Sequence, residues 1–426
     1  MRSFWKEWKQ TLQFKADGTS FAYIFVAVLL GTALVTGAYI LHNLRPDAEL
    51  GQPDEKFITA SGKCAECHRQ ETPAIVDQFE HSTHALQAVT CLDCHQPVEN
   101  QNANDHRGFE ITDRVTAANC SSCHENQYTQ YLRSRHAAPA WAAVRGSADF
   151  TPEQIAHAEK YHPGAVQREP NQLARMEGSA AIASGCSGCH SVGRPNADGS
   201  IGDCSHCHTR HDASIAMARE PETCGQCHMG PDHSQLEIFH ESRHGALWNA
   251  HKDRMNLSVN PDDLTTRDMP IPSCATCHMS GLEGQKVTHD VTERLSWFLF
   301  AAVSTKREHY DRGQANMKEL CGSCHSSSHT DAFYEQAEAV VLHTNERVQE
   351  ARQIMDGLYR DGLLTAQPFD EEIEFLYFDY WHYYGRTAKH GAFMGGADFV
   401  QWHGNYELLH GLVQLKARAR AIRQGR

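Results

Sequence analysis

No cysteine of this 426-residue chain stands outside one short motif, and this absence narrows the kinds of cysteine site that the chain can hold. The chain has 16 cysteines, and all of them fall into eight Cys-x-x-Cys pairs, each followed directly by a histidine. Neither a disulfide framework nor a zinc site needs a histidine after every pair. The lack of a leftover thiol therefore indicates one use of the motif, repeated along the chain.

An excess of positive charge is also missing, and so are clear strand signals. The chain has 39 Lys and Arg against 53 Asp and Glu, a net charge of −14, which argues against nucleic acid as a partner. Alternating Val/Ile/Thr runs are few, and no Asn-Gly or Asp-Gly turn joins two of them. We therefore expect a mainly α protein with short helices and long loops.

The motif that is present, C-x-x-C-H, is the attachment motif of c-type haem. Its two thiols bond to the porphyrin vinyl groups, and its histidine, termed the motif histidine, ligates the iron. The cysteines are Cys64, Cys67, Cys91, Cys94, Cys120, Cys123, Cys186, Cys189, Cys204, Cys207, Cys224, Cys227, Cys274, Cys277, Cys321 and Cys324. The motif histidines are His68, His95, His124, His190, His208, His228, His278 and His325. We expect eight covalently bound haems to form the core of a cytochrome c domain over residues 61–330.

One long apolar run lies near the N-terminus. Residues 21–41 carry no charge and are long enough to span a bilayer as a helix. A cleaved signal peptide is the alternative, but the run is long for one and no clear cleavage site follows it. By the positive-inside rule, basic residues hold segment 1–20 in the cytoplasm: Arg2, Lys6, Lys9 and Lys15. We predict a single transmembrane anchor in the inner (cytoplasmic) membrane, a linker over 42–60, and a haem domain on the periplasmic side, since covalent haem attachment implies an oxidising compartment.

The C-terminal tail, residues 331–426, has no cysteine and shows helical periodicity. Gly362 and Pro368 mark a break, and the stretch "HGAFMGGAD" marks another. The pattern predicts a bundle of long helices. This bundle either packs over the haem domain or mediates oligomerisation, with some residues reaching an active site.

A second set of histidines is predicted to ligate the haem irons from the distal side. Three of them recur in one local context, in "FEHSTHALQA", "YLRSRHAAPAW" and "FHESRHGALW". The seven candidates are His84, His136, His244, His106, His211, His289 and His329. Haems with two histidine ligands transfer electrons, whereas an open iron can bind a small molecule. Seven distal ligands for eight haems predict one haem with an open position.

Together with the eight motifs, two segments carry a family resemblance: "CHMGPDHSQLEIFHESRHGALW" and "AKHGAFMGGADFVQWHGNYELLH". Over residues 60–410 the chain resembles the octahaem hydroxylamine oxidoreductase family. The resemblance implies a helical multihaem domain, a homotrimer, and a catalytic haem at the fourth motif, on Cys186 and Cys189 with His190. Asp232 and His233 match the family's distal Asp-His pair and would handle protons. The alternative is that His233 ligates an ordinary haem and Asp232 only caps a helix.

The direction of the reaction rests on one further position. Oxidising members of the family that the chain resembles have a tail tyrosine bonded to the catalytic haem, and this chain has Phe399 at the matching position. Other tyrosines lie nearby, Tyr383, Tyr384 and Tyr406, and Tyr310 is a candidate for the distal pocket. The chain therefore resembles the members without the crosslink, which implies a reductase that converts nitrite and hydroxylamine to ammonium. Their electrons would come from a membrane-bound, quinol-linked cytochrome c partner.

Two other functions remain compatible with the sequence. The first is a hydroxylamine or hydrazine oxidoreductase that works in the oxidative direction. The second is a non-catalytic electron conduit with eight saturated haems. The conduit would need an eighth distal ligand, for which the sequence offers His233, His240, His162 or His251.

Overall fold

The computed structural model describes residues 28–33, 36 and 55–425. The predicted cytoplasmic segment 1–20, most of the predicted anchor 21–41 and most of the predicted linker 42–60 lie outside the described residues. Within the described ranges, no helix combines the length and the apolar character needed to cross a membrane. The chain divides into two units, Met1–Thr59 and Ala60–Arg426, and the second unit contains all eight motifs.

The expectation of a mainly helical fold is confirmed. Most helices before residue 327 are short, because each motif contributes one tight turn and loops connect the turns. The α-helices in this part are Glu55–Glu71 (interrupted at Gly62), Pro73–Glu80, Thr83–Leu86, Cys91–His95, Ala117–Ser121, Glu125–Arg133, Ala138–Arg145, Pro152–Tyr161, Gln172–Glu177, Ser179–Ala181, Ser187–His190, Ile215–Arg219, Pro221–Gly225, Gln235–Glu241, Arg243–His251, Cys274–His278 and Tyr310–Gly322. A π-helix, Ile182–Cys186, leads into the fourth motif.

One small antiparallel sheet interrupts the helices. Strand Asn104–His106 pairs with Phe109–Ile111, with His106 opposite Phe109. Arg107 and Gly108 connect the strands with φ of 55° and 86°, the positive values that a two-residue hairpin turn requires. The turn is Arg-Gly rather than Asn-Gly or Asp-Gly, so the usual hairpin signals do not predict it. It fixes the position of His106.

The tail begins with the longest described helix, Ser327–Arg360, which Ser326 caps. A second helical run consists of Glu372–Asp379, the π-helix Tyr380–Gly385 and Arg386–Met394. Gly395, at φ 74°, ends this run in the left-handed conformation, so the predicted interruption lies after "HGAFM", which is itself helical. The last segments are Ala397–Val400, the π-helix Gln401–Tyr406 and Glu407–Arg423.

The tail helices share an ordinary apolar core, whereas the haem-binding region has two smaller clusters. The tail core contains Val348, Met355, Leu358, Ile373, Tyr380, Leu408 and Leu415. The smaller clusters lie around Trp141 and around Trp248. The tail reaches the haem-binding region through a buried lysine. Lys389 Nζ donates hydrogen bonds to Ala301 O (2.8 Å) and Ser304 Oγ (2.8 Å).

Candidate active site

Two of the motifs fold locally into five-residue helices that begin with a hydroxyl cap. Thr90 precedes Cys91–His95 and Ser273 precedes Cys274–His278, each in a capping box. The cap hydroxyl accepts a hydrogen bond from a backbone N–H that would otherwise lack a partner at the start of the helix. A five-residue helix is thereby stable enough to hold two cysteines and the motif histidine at their required spacing.

The eight motif histidines all line one connected cavity with a volume of about 2440 Å³. Thirteen of the sixteen motif cysteines line it too. The tail contributes aromatic side chains to the wall, among them Phe378, Trp381 and Tyr383. A mostly apolar cavity lined by thiols and imidazoles has the donor set that covalently bound iron porphyrins need.

Hydrogen bonds orient several motif histidines for metal binding. The Nδ1 atom of His95 lies 2.9 Å from Thr112 O, and Nδ1 of His190 lies 2.5 Å from Ala140 O. A carbonyl oxygen can only accept, so Nδ1 carries the proton and Nε2 is left free to ligate a metal. The protein thus sets the tautomer that haem ligation requires.

Six motif histidines each face a second histidine ring at nearly the same distance. Iron bound between two imidazoles, at roughly 2 Å from each nitrogen, would separate the ring centroids by about 6 Å. The observed centroid separations are 6.1 Å for His68 and His106, 6.4 Å for His95 and His211, 6.1 Å for His124 and His84, 6.3 Å for His208 and His289, 5.8 Å for His228 and His136, and 6.0 Å for His325 and His244. The residues present therefore fit bis-histidine haems, and ligation itself stays a prediction.

Burial keeps several of these imidazoles in the form that binds iron. It lowers the pKa of His136 to about 3 and the pKa of His289 to about 4, with neighbouring histidines adding to the effect. Neutral imidazole is the metal ligand, whereas imidazolium is not. The electrostatics of these pairs thus agree with their geometry.

The seventh distal candidate, His329, lies elsewhere. Its ring is 4.8 Å from that of His325, which already faces His244. In the part of the chain that the structure describes, two motif histidines, His190 and His278, face no histidine ring at the spacing of the six pairs. The role predicted for His329 stays a prediction. Of the two motif histidines without a facing histidine ring, His190 is the one that has Asp232 and His233 as neighbours.

The Asp232–His233 pair lies near His190. His233 Nδ1 donates to Asp232 Oδ1 at 2.6 Å, and the Phe300 ring packs 5.4 Å from the His233 ring. Burial lowers the pKa of His190, and the charges of His233 and Asp232 also act on it. Burial disfavours ionised Asp232, but the hydrogen bond from His233 and the nearby cationic groups outweigh it and lower the pKa of Asp232. The carboxylate is therefore ionised at neutral pH.

The tail adds two side chains to this pair that the sequence patterns did not single out. His382 Nε2 lies 4.0 Å and Arg386 Nη1 lies 3.8 Å from Asp232 Oδ2. The π-helix Tyr380–Gly385 precedes Arg386 and carries His382. The available signal was an arginine and a histidine within the aromatic run "FLYFDYWHYYGR". A charged side chain within an aromatic run tends to be buried, and a buried charge needs a polar partner inside the fold.

The tyrosines proposed from the sequence differ in position. Tyr383 lines the cavity, and the charge of Asp232 contributes to raising its pKa, after burial and Asp379. Tyr310 is not among the described residues that line the cavity, and its ring instead holds Lys306 Nζ at 4.1 Å. Phe399 is buried and packs against His403, also outside that lining. Of the tyrosines proposed from the sequence, Tyr383 is therefore the one that the fold brings to the cavity.

Cysteine contacts show which motifs are neighbours. Thiols of successive motifs interact from the first to the third motif, and the third then meets the fifth, through Cys120 and Cys204. The fifth, sixth, seventh and eighth follow in order. The fourth motif lies beside the sixth, where Cys189 neighbours Cys227. The motifs thus form a row, with the fourth attached as a side branch.

This arrangement of motifs, cavity and histidine pairs defines a multihaem c-type cytochrome with covalently bound haem. The chain belongs to the multihaem cytochrome family described as "Seven times multi-haem cytochrome CxxCH", whose profile matches residues 87–371. That range contains seven of the eight motifs, from Cys91 to Cys324.

Relatives agree with the resemblance inferred from the sequence, which is confirmed. A probable nitrite reductase-hydroxylamine oxidoreductase fusion protein of Kuenenia stuttgartiensis is 24% identical over 364 residues. The match covers 72% of this chain but 39% of that relative, so the chain spans about two-fifths of its length.

Two solved structures share the fold. A hypothetical multiheme protein superposes with a TM-score of 0.73 at 21% identity, covering 89% of this chain and 98% of the other. A reducing HAO-like protein complex of Kuenenia stuttgartiensis superposes with a TM-score of 0.64 at 20% identity, covering 85% of each chain. At these identities the likeness establishes the fold alone.

Proposed function

We propose that this protein is an octahaem cytochrome c that reduces nitrite, and also hydroxylamine, to ammonium outside the cytoplasm. The observation that carries the proposal is the set of residues near the fourth motif. His190 faces no histidine ring at the spacing of the six pairs in the described structure, and the Asp232–His233 pair, joined at 2.6 Å, lies near it. A haem on Cys186 and Cys189 would supply electrons and an open iron position to a small nitrogen substrate.

Asp232 and His233 are assigned to proton delivery. Reducing nitrite to ammonium consumes protons together with electrons, and an imidazole can donate protons near neutral pH. Asp232 accepts a hydrogen bond from Nδ1 of His233. This bond orients the ring and leaves Nε2 available for proton transfer. Because its pKa is lowered, Asp232 also keeps its negative charge beside the His233 ring.

The paired histidines are assigned to electron transfer. Each of the six pairs would hold a saturated haem, which favours electron transfer over substrate binding. The row of motifs gives these haems a continuous order, and the fourth motif adjoins the sixth through Cys189 and Cys227. Electrons for the catalytic position would therefore pass through the sixth motif, whose histidines are His228 and His136.

The location and partners belong to the same proposal. We infer an inner-membrane protein anchored by residues 21–41, with the haem domain in the periplasm and a membrane-bound, quinol-linked cytochrome c as electron donor. A structural relative bears the name of a protein complex, which supports a multihaem partner.

A homotrimer follows from the family resemblance. The exposed Trp402, Tyr406, Leu409 and Val413, spaced by four, three and four residues along the last helical segments, offer a face for it.

A second candidate function is hydroxylamine or hydrazine oxidation. The observation in its favour is Tyr383, which lines the cavity near Asp232 from the tail of the same chain. A tyrosine there could take the role that Phe399 cannot, because phenylalanine has no hydroxyl. Mass spectrometry of the haem peptide containing Cys186 and Cys189 would reveal a bond to Tyr383.

Turnover by the full-length, haem-loaded protein tests the proposal. Reduced viologen is supplied with nitrite and ammonium is quantified, while a parallel assay supplies hydroxylamine with an oxidised acceptor. We expect stoichiometric ammonium and little oxidation. Fast hydroxylamine oxidation with poor nitrite reduction would favour the second candidate. Inactivity in both assays, together with a purely low-spin spectrum, would identify an electron conduit.

A cysteine variant localises the activity. Replacing Cys186 and Cys189 by alanine should remove one haem per chain, measured as iron per protein, and abolish ammonium formation. The matched variant with Cys64 and Cys67 replaced also loses one haem, from the first motif of the row, which does not adjoin the side branch at the sixth motif. It should retain turnover with viologen, which donates to any exposed haem. Equal loss in both variants would contradict catalysis at the fourth motif.

A further inference from the structure

Arg386 is the cationic side chain nearest to the Asp232–His233 pair. Its Nε donates to Phe300 O at 2.9 Å, and its guanidinium lies between the rings of Phe300 (5.3 Å) and Trp381 (5.2 Å). The side chain is only 12% exposed, and it lines the same cavity as His190 and His233. One hydrogen bond and two aromatic faces therefore hold the guanidinium in place.

The outer nitrogens of Arg386 keep their hydrogen-bonding capacity. Within residues 55–425 they make no hydrogen bond, and the nearest carboxylate oxygen, of Asp232, is 3.8 Å from Nη1, beyond hydrogen-bond distance. That carboxylate already accepts from His233 at 2.6 Å. A guanidinium offers five N–H donors in a planar fork, of which the contact to Phe300 uses one. Donors thus remain for a ligand in the cavity.

The other basic groups beside Arg386 do not compete for an anion. Burial, and next the charge of Arg386, lowers the pKa of His382 to about 3, so that ring is neutral. Burial likewise lowers the pKa of His390 well below its ordinary value. Lys389 directs its ammonium to Ala301 O and Ser304 Oγ. Arg386 is therefore the one side chain of this group with a permanent positive charge and unused donors.

We propose that Arg386 determines specificity by binding the anionic substrate of this site, a small oxyanion such as nitrite, through its outer nitrogens. The proposal rests on the proposed function and adds a substrate class to it. The two oxygens of nitrite match the planar donors of a guanidinium, and a charge-assisted contact in a buried site is strong. Hydroxylamine is uncharged at neutral pH and forms no such ion pair. Arg386 thus favours nitrite over hydroxylamine.

The test compares Arg386→Gln and Arg386→Lys in the full-length, haem-loaded protein. Nitrite affinity is measured directly from spectral changes of the oxidised protein, and KM is measured for nitrite and for hydroxylamine with reduced viologen. Losing one charge-assisted contact should weaken nitrite binding about 10- to 100-fold in Arg386→Gln. The KM for hydroxylamine should change less than about threefold. Arg386→Lys keeps the charge but not the fork, so its nitrite affinity should lie between wild type and Arg386→Gln.

Arg352→Gln is the matched control, since Arg352 lies exposed on helix Ser327–Arg360 and forms an ion pair with Asp356 at 3.7 Å. It should leave both substrates unaffected. Unchanged nitrite affinity in both Arg386 variants, or equal losses for nitrite and hydroxylamine, would overturn the proposal. If Arg386→Gln fails to load haem, Arg386→Lys decides. If the wild type binds nitrite without reducing it, the proposed function fails while the binding titration still tests Arg386.

Discussion

Replacing Asp232 by asparagine removes one charge from the candidate active site and little else. Asparagine has the same shape and keeps an oxygen that can accept from His233 Nδ1. The ion pair at 2.6 Å becomes a neutral hydrogen bond, and the attraction to the Arg386 guanidinium disappears. Any change in turnover would therefore report the charge of Asp232 rather than its volume.

The size of the effect depends on the burial of the pair. The side chains of His233 and Asp232 are 29% and 25% exposed, so water screens their interaction only in part. A hydrogen bond to a charged group contributes about 1.5–3 kcal/mol. If His233 gains its proton for the reaction, most of this stabilisation is lost in Asp232→Asn, and kcat for nitrite should fall about 10- to 100-fold. Nitrite affinity should stay the same or increase, because a nearby negative charge is gone.

Steady-state reduction of nitrite by reduced viologen measures both quantities. Asp356→Asn, an exposed carboxylate in an ion pair with Arg352, is the control and should behave as wild type. The absorption spectrum and haem content should be unchanged in both variants. An unaltered kcat in Asp232→Asn, under conditions where proton delivery limits the rate, would refute the proton-delivery role. Weaker nitrite binding in this variant would instead make Asp232 a substrate-binding group.

Two further predictions concern other parts of the structure. His136→Ala should convert the haem at the sixth motif from low-spin to high-spin, measured by electron paramagnetic resonance, without changing the haem content. It should also slow nitrite reduction more than the matched change His106→Ala at the end of the row. Equal slowing in the two variants would refute the proposed electron route. Lys389→Met leaves Ala301 O and Ser304 Oγ without their donor and should cost about 1–3 kcal/mol of unfolding free energy. Since burial lowers the pKa of Lys389 from 10.5 to about 7, the unfolded chain holds this proton more tightly, and stability should rise with pH between these values in the wild type but not in the variant. Denaturation curves at several pH values check this, and a rise of equal size in both proteins would contradict it.

The chemistry of the cofactor could be predicted from the sequence because haem attachment is local. Two thiols and the histidine that follows them must fit within one helical turn, so the spacing C-x-x-C-H carries the whole requirement. The helical class could be predicted because strand signals are few and the tail shows helical periodicity, and both are local patterns. The seven distal candidates rested on local context too, and six of them lie opposite a motif histidine.

Which histidines meet was decided only by tertiary structure. His95 faces His211, more than one hundred residues away, and His106 reaches His68 through an Arg-Gly turn that the sequence did not reveal. His329 was predicted as a distal ligand like the other six candidates, yet its ring lies against that of His325. The two histidines are only four residues apart in the sequence, so they are close whatever the rest of the fold does.

The composition of the active site depended most on long-range packing. Arg386 and His382 reach Asp232 across about 150 residues of sequence because a π-helix and the buried Lys389 hold the tail against the haem-binding region. No local pattern encodes such a contact, since its energy comes from burying surfaces that are distant along the chain. By itself, the sequence determined which cofactor this protein binds and where it is attached. Only the folded chain decided which side chains surround the substrate.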